Sequence, residues 1–144
     1  MTDKLRVSMI QMQVTDQVEK NVEKAIELIK DAAKGNPDVI VLPENFHIMG
    51  TKEQFFEKAE TIDGLTLTRL KELAKQIETY IVTGTMKLRS QENEKLKNTC
   101  CVINPNGEIQ DVYEKIHTFN AQVGGRTYSG RQVEEAGDKI VVTS

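Results

Sequence analysis

With 144 residues, 38% hydrophobic and 28% charged, and a formal net charge of −3, the chain has the size and composition of one domain around one core. Lys and Arg are interleaved with Asp and Glu instead of gathered in a block, which offers neither nucleic acid nor an anionic membrane a binding surface. No apolar run approaches about 18 residues and MTDKLRVSMI lacks the apolar core of a signal peptide, so the expectation is a soluble, cytoplasmic protein without a membrane span.

Residues Leu5 to Met12 alternate, with Leu5, Val7 and Met9 on one side, and predict a first strand. Asp16 and Glu19 have the spacing of a capping box. Val18, Val22, Ala25, Ile26, Ile29, Ala32 and Ala33 then recur at helical spacing up to Gly35, which predicts a helix. The apolar run Val39 to Leu42 predicts a short strand covered on both faces, ended by Pro43, which has no N–H to give a ladder. Strand, helix and strand in this order make an α/β unit.

A short helix is expected over Thr51 to Ala59 and a turn at Asp63-Gly64. Leu67, Leu70, Leu73, Ala74 and Ile77 mark a second amphipathic helix, and Tyr80 to Met86 reads as one strand. Arg89 to Lys97 is polar enough for a solvated loop. Two apolar runs then flank Asn106-Gly107, a strong hairpin signal that puts Lys115 on the second arm. Asn120 to Gly137 reads as an irregular loop with glycines at 124, 125 and 130, and Lys139 to Ser144 as the start of a fresh strand.

Few residues carry chemistry by themselves. Glu44 stands just beyond a strand's carboxyl end, where open α/β sheets gather ligands, although a solvated chain-end carboxylate has the same pattern. Lys115 alone reads as a solvated or edge-protecting charge. His47 and His117 have no second ligand at helical or hairpin spacing, so neither suggests a metal. The adjacent Cys100 and Cys101 fit neither a disulfide framework nor a zinc knuckle, and inside TCCVI they read as small core hydrophobes. A two-residue turn at Asn106-Gly107 would place Cys100 on the sheet face of Lys115, two residues off register, which keeps a thiol role for Cys100 open.

Taken together, VIVLPENF and, after an NPNGEI turn, VYEKIHTF resemble the nitrilase superfamily of carbon-nitrogen hydrolases, whose members carry a strand ending in L-P-E and a Y-x-K-x-H segment. RVSMIQMQVTDQVEKNVEKAIELI resembles that family's first strand and helix, and EAGDKIVV resembles the lead-in to its nucleophile strand. The K-I-H-x-F segment is similar to that of the ω-amidase branch.

The resemblance implies the N-terminal portion of a four-layer α-β-β-α sandwich, with 1–144 as a single, incomplete carbon-nitrogen hydrolase domain. It implies a Glu-Lys-Cys site that cleaves non-peptide C–N bonds of small amides with no metal or organic cofactor. By position Glu44 corresponds to the general base and Lys115 to the lysine that stabilises the tetrahedral intermediate. The family's cysteine lies on a later strand that the sequence does not reach, and Cys100 and Cys101 precede Lys115, so the nucleophile is expected to be absent and the chain inactive alone. Gly130 stands where the family has a second glutamate. The expected partners are a small amide or carboxylate ligand, and a homo-oligomer or a complementing C-terminal half. The alternative is a non-catalytic binding or regulatory module that retains the ligand pocket.

Overall fold

A computed structural model describes residues 4–90 and 94–144. Its element order is β1 (Val7–Met9), α1 (Val18–Ala33), β2 (Val39–Val41), α2 (Lys52–Lys58), α3 (Leu65–Ile77), β3 (Tyr80–Val82), β4 (Met86–Arg89), β5 (Leu96–Ile103), β6 (Ile109–Glu114), β7 (Asn120–Val123), β8 (Arg126–Ser129), a 3-10 turn (Gly130–Gln132) and β9 (Glu134–Glu135). β1, β2 and β3 are parallel neighbours linked through α1 and α3. β5 runs antiparallel to β3, β4 and β6, and β9 adds to it in parallel.

The helices bury one face of this sheet. Ala25 and Ile29 of α1 and Leu67, Leu70, Leu73 and Ala74 of α3 pack on Ile40, Ile81, Cys101 and Ile103. Val39 and Val41, which alternate with Ile40, are only partly buried, so β2 is covered on one face and not on both as its apolar run predicts. β1 is likewise shorter than its alternation predicts. Leu5, Val7 and Met9 are all exposed, because their side of the edge strand has no helix over it.

Other departures have local causes. α1 is capped by Gln17 without a side-chain bond, since Asp16 accepts from Gln54 Nε2 at 2.9 Å instead of closing a capping box with Glu19. The capping box is found at α2, between Thr51 and Gln54. The single strand expected over Tyr80 to Met86 is broken at Gly84, whose φ of 61° turns the chain out of the ladder. The loop expected over Arg89 to Lys97 yields Leu96 and Lys97 to β5, and its centre, 91–93, lies outside the described residues. Asn120 to Gly137 is largely regular: Gly124 and Gly125, at φ 57° and 75°, close a two-residue turn between β7 and β8, the pair of positive φ angles that suits hairpin twist. Lys139 to Ser144 forms no strand, having no ladder partner among the described residues.

Candidate active site

Three backbone devices bring the site together. β2 ends with Leu42 N–H donating to Val82 O at 2.9 Å, Pro43 offers no donor, and Asn45 takes a left-handed φ of 53° with its N–H on Thr85 Oγ1 at 3.1 Å. Glu44 is therefore fixed between a ladder and a turn. Gly84 makes this possible, because a Cβ there would run into the carbonyl oxygens of Leu42 and Pro43. On the other side, Lys115 lies one residue past β6. Its N–H donates to Asn98 O and its carbonyl accepts from Gly137 N–H, both at 2.9 Å.

The side chains meet accordingly. Lys115 Nζ lies 2.7 Å from Glu44 Oε1, a bond across 71 positions of sequence, and Asn98 Nδ2 donates to the same oxygen at 3.1 Å. Lys87 and Asn98 are direct partners on β4 and β5, so Lys87, Asn98 and Lys115 stand in a row across neighbouring segments. Behind them Lys87 forms an ion pair with Glu134 Oε1, and Asn98 Nδ2 reaches the same Glu134 oxygen at 3.4 Å. Phe55 of α2 lies against the Lys87 ammonium, 5.0 Å from ring centroid to nitrogen.

The hydrogen bond from Lys115 lowers the pKa of Glu44, against the opposing effect of burial, with further lowering from the Lys115 charge, Asn98 and Lys87. Glu44 is thus a carboxylate at neutral pH, half exposed and able to accept a proton. Lys115 presents an ammonium beside it, the charge needed by an oxyanion. His47 lies in the turn after Glu44, is fully buried, and has neither ring nitrogen bonded among the described residues. Burial, with the Lys87 charge, pushes its pKa down to about 4, so it is neutral and uncharged in the fold.

Burial also raises the Cys100 thiol and pushes Cys101 up to about 12, which removes thiolate character from both at neutral pH. Lys115 faces Asn98 across the ladder, and Cys100 faces Tyr113. His117 is exposed, and no group of three or more His, Cys, Asp or Glu among the described residues could hold a metal ion. Gly130 opens the 3-10 turn, with its N–H on Phe119 O at 2.7 Å. The acidic residue that joins the site from this part of the chain is Glu134.

Lys87, Asn98 and Glu134 were not legible as site residues. The one signal was Lys87 itself, a charge set between the apolar Met86 and Leu88.

The chain belongs to the carbon-nitrogen hydrolase family, which it matches over residues 6–144. It is 33% identical over 136 residues to the omega-amidase NIT2 of Homo sapiens, covering 94% of this chain and 49% of that protein. Its fold matches the NitFhit protein of C. elegans with a TM-score of 0.86 at 22% identity, covering 95% of this chain and 34% of the other. It also matches Saccharomyces cerevisiae Nit3, a member of branch 10 of the nitrilase superfamily, with a TM-score of 0.78 at 24% identity, covering 94% of this chain and 49% of the other. The helix layer and sheet described above are accordingly the N-terminal portion of the superfamily's α-β-β-α sandwich. The chain spans about half the length of the curated relatives it matches.

Proposed function

We propose that Glu44 and Lys115 are the base and the oxyanion-stabilising lysine of an amidase-type site acting on the C–N bond of a small carboxyamide, with the thiol nucleophile supplied from outside these 144 residues. The observation that carries this reading is the 2.7 Å contact between Glu44 and Lys115. Glu44 takes the thiol proton as sulfur attacks the amide carbon. Lys115 then faces the negative charge that develops on the amide oxygen. When the tetrahedral intermediate collapses, the C–N bond breaks, the proton passes from Glu44 to the leaving ammonia, and a thioester remains. Glu44 next activates the water that releases the acid. The relatedness to omega-amidases supports a short carboxyamide as substrate, and a complementing C-terminal half or a second copy as the partner that completes the sandwich.

The test is ammonia release from a short ω-carboxyamide by the full chain mixed with a thiol-bearing C-terminal half from a family member. Turnover that needs both parts and falls at least about 100-fold with Glu44→Gln is the expected result. Turnover unaffected by that change would overturn the assignment of the base.

The Lys115 ammonium held beside Glu44 at 2.7 Å also supports a second reading, a pocket that binds a small amide or carboxylate without turnover. Calorimetry with such a ligand would then show binding that Lys115→Ala weakens, and equal affinity in both proteins would exclude it.

A further inference from the structure

Asn98 is 1% exposed, and its Nδ2 lies within hydrogen-bond distance of two carboxylates, Glu44 Oε1 at 3.1 Å and Glu134 Oε1 at 3.4 Å. Both carboxylates can only accept, so both amide hydrogens must face them. The other end of the same amide has the opposite situation: Asn98 Oδ1 is buried and has no hydrogen-bond partner among the described residues. Turning the amide would set Oδ1 against both carboxylate oxygens, and Glu44 would lose a donor. Two acceptors on the nitrogen side are what oppose that turn.

From this geometry we infer that Glu134 is a positioning residue: it holds the Asn98 amide in the orientation that donates to Glu44, and Lys87 neutralises Glu134 so that a second carboxylate can stand behind the first. The charges facing Glu44 are then Lys115 directly, Lys87 from β4 and Glu134 through Asn98, with His47 neutral beside Lys87. Glu134 reaches this place through β9, where it pairs with Leu96 of β5, two positions from Asn98. A base is thereby tied to a segment 90 positions away in sequence. The inference deepens the reading of Glu44 as the base and rests on it for its catalytic meaning, but its structural content can be tested without turnover.

The experiment follows the Glu44 carboxyl carbon by NMR through an acid titration of the full chain. Asn98→Ala removes the donor and sets the upper limit of the effect, a measurable rise in the Glu44 midpoint. The double change Lys87→Met with Glu134→Leu removes both charges together, so it leaves the net charge unaltered and takes away the anchor of Asn98 along with the Lys87 charge that itself lowers Glu44. It should raise the midpoint as well, and adding it to Asn98→Ala should raise it by clearly less than the sum of the two separate rises, the remainder being the lost Lys87 charge. An unmoved midpoint in the double variant, or a rise that adds fully to that of Asn98→Ala, would overturn the inference. Glu134→Gln, which keeps an acceptor for Nδ2, supplies the check if the double variant does not fold. Its Asn98 side-chain amide signals should stay in place, and displaced signals would count as failure. A Glu44 midpoint that is already ordinary in the unaltered chain would instead undo the Glu44–Lys115 pairing.

Discussion

The site contains two lysine–glutamate pairs of the same chemistry in different surroundings. In Glu44–Lys115 the side chains are 53% and 26% exposed, whereas in Lys87–Glu134 they are 5% and 9% exposed. Water screens the first pair, so its members are free to exchange partners with a ligand. The second is enclosed by β4, β9 and Phe55, where water does not screen it and its charges answer each other. On the proposed reading the difference separates two jobs, an outer pair available for proton and charge transfer and an inner pair that fixes the frame around it.

The sharpest way to break this contrast is to remove one charge from the inner pair. Lys87→Met leaves Glu134 buried and unpaired and should lower unfolding stability by about 3–5 kcal/mol in urea. Replacing both partners with apolar residues should recover most of that loss, since an ion pair of this kind roughly balances its own desolvation. A single variant as stable as the parent would mean that the inner pair is not enclosed in solution.

Acid should act next, through His47 beside the inner pair. Its pKa is about 4 in the fold and near 6.5 in the unfolded chain, so the unfolded chain binds the proton first and stability falls as pH drops through this window. The expected loss is about 2 kcal/mol between pH 7 and pH 5. His47→Phe should flatten that dependence, as urea unfolding at the two pH values would show.

The smallest effect belongs to the outer pair. Lys115→Ala should change stability by at most about 1 kcal/mol, because a half-exposed ion pair contributes little. It should nevertheless raise the Glu44 carboxyl pKa, a shift readable by carbon NMR. The sign follows from the lowered pKa. Whatever stability Glu44 gains from Lys115 is present above the unfolded midpoint and disappears as pH falls through the folded one, so parent and variant should converge in acid.

The outer pair was legible in sequence and the inner one was not, for a physical reason. Glu44 ends a strand that announces itself by Val39 to Leu42 and Pro43, and Lys115 follows a hairpin marked by Asn106-Gly107. Both sit in recognisable segments of the carbon-nitrogen hydrolase pattern. Lys87, Asn98 and Glu134 come together only through the β4–β5 and β5–β9 pairings, and register between distant strands has no local signature. The helices α1 and α3 were plain from their 3.6-residue period. The β7–β8 hairpin was hidden because its arms are short and polar, although Gly124-Gly125 carried the right turn chemistry.

Gly84 sets a condition on how this site can be mapped. The chain turns there at positive φ directly beneath the Leu42 and Pro43 carbonyls, with no room for a methyl group. A saturation screen scored on turnover would therefore rank Gly84 beside Glu44, although glycine offers no group for proton transfer. Intolerance to substitution would mark both the proposed base and the hollow that admits it, and only melting temperature, reduced for Gly84→Ala and nearly constant for Glu44→Gln, would tell the two apart.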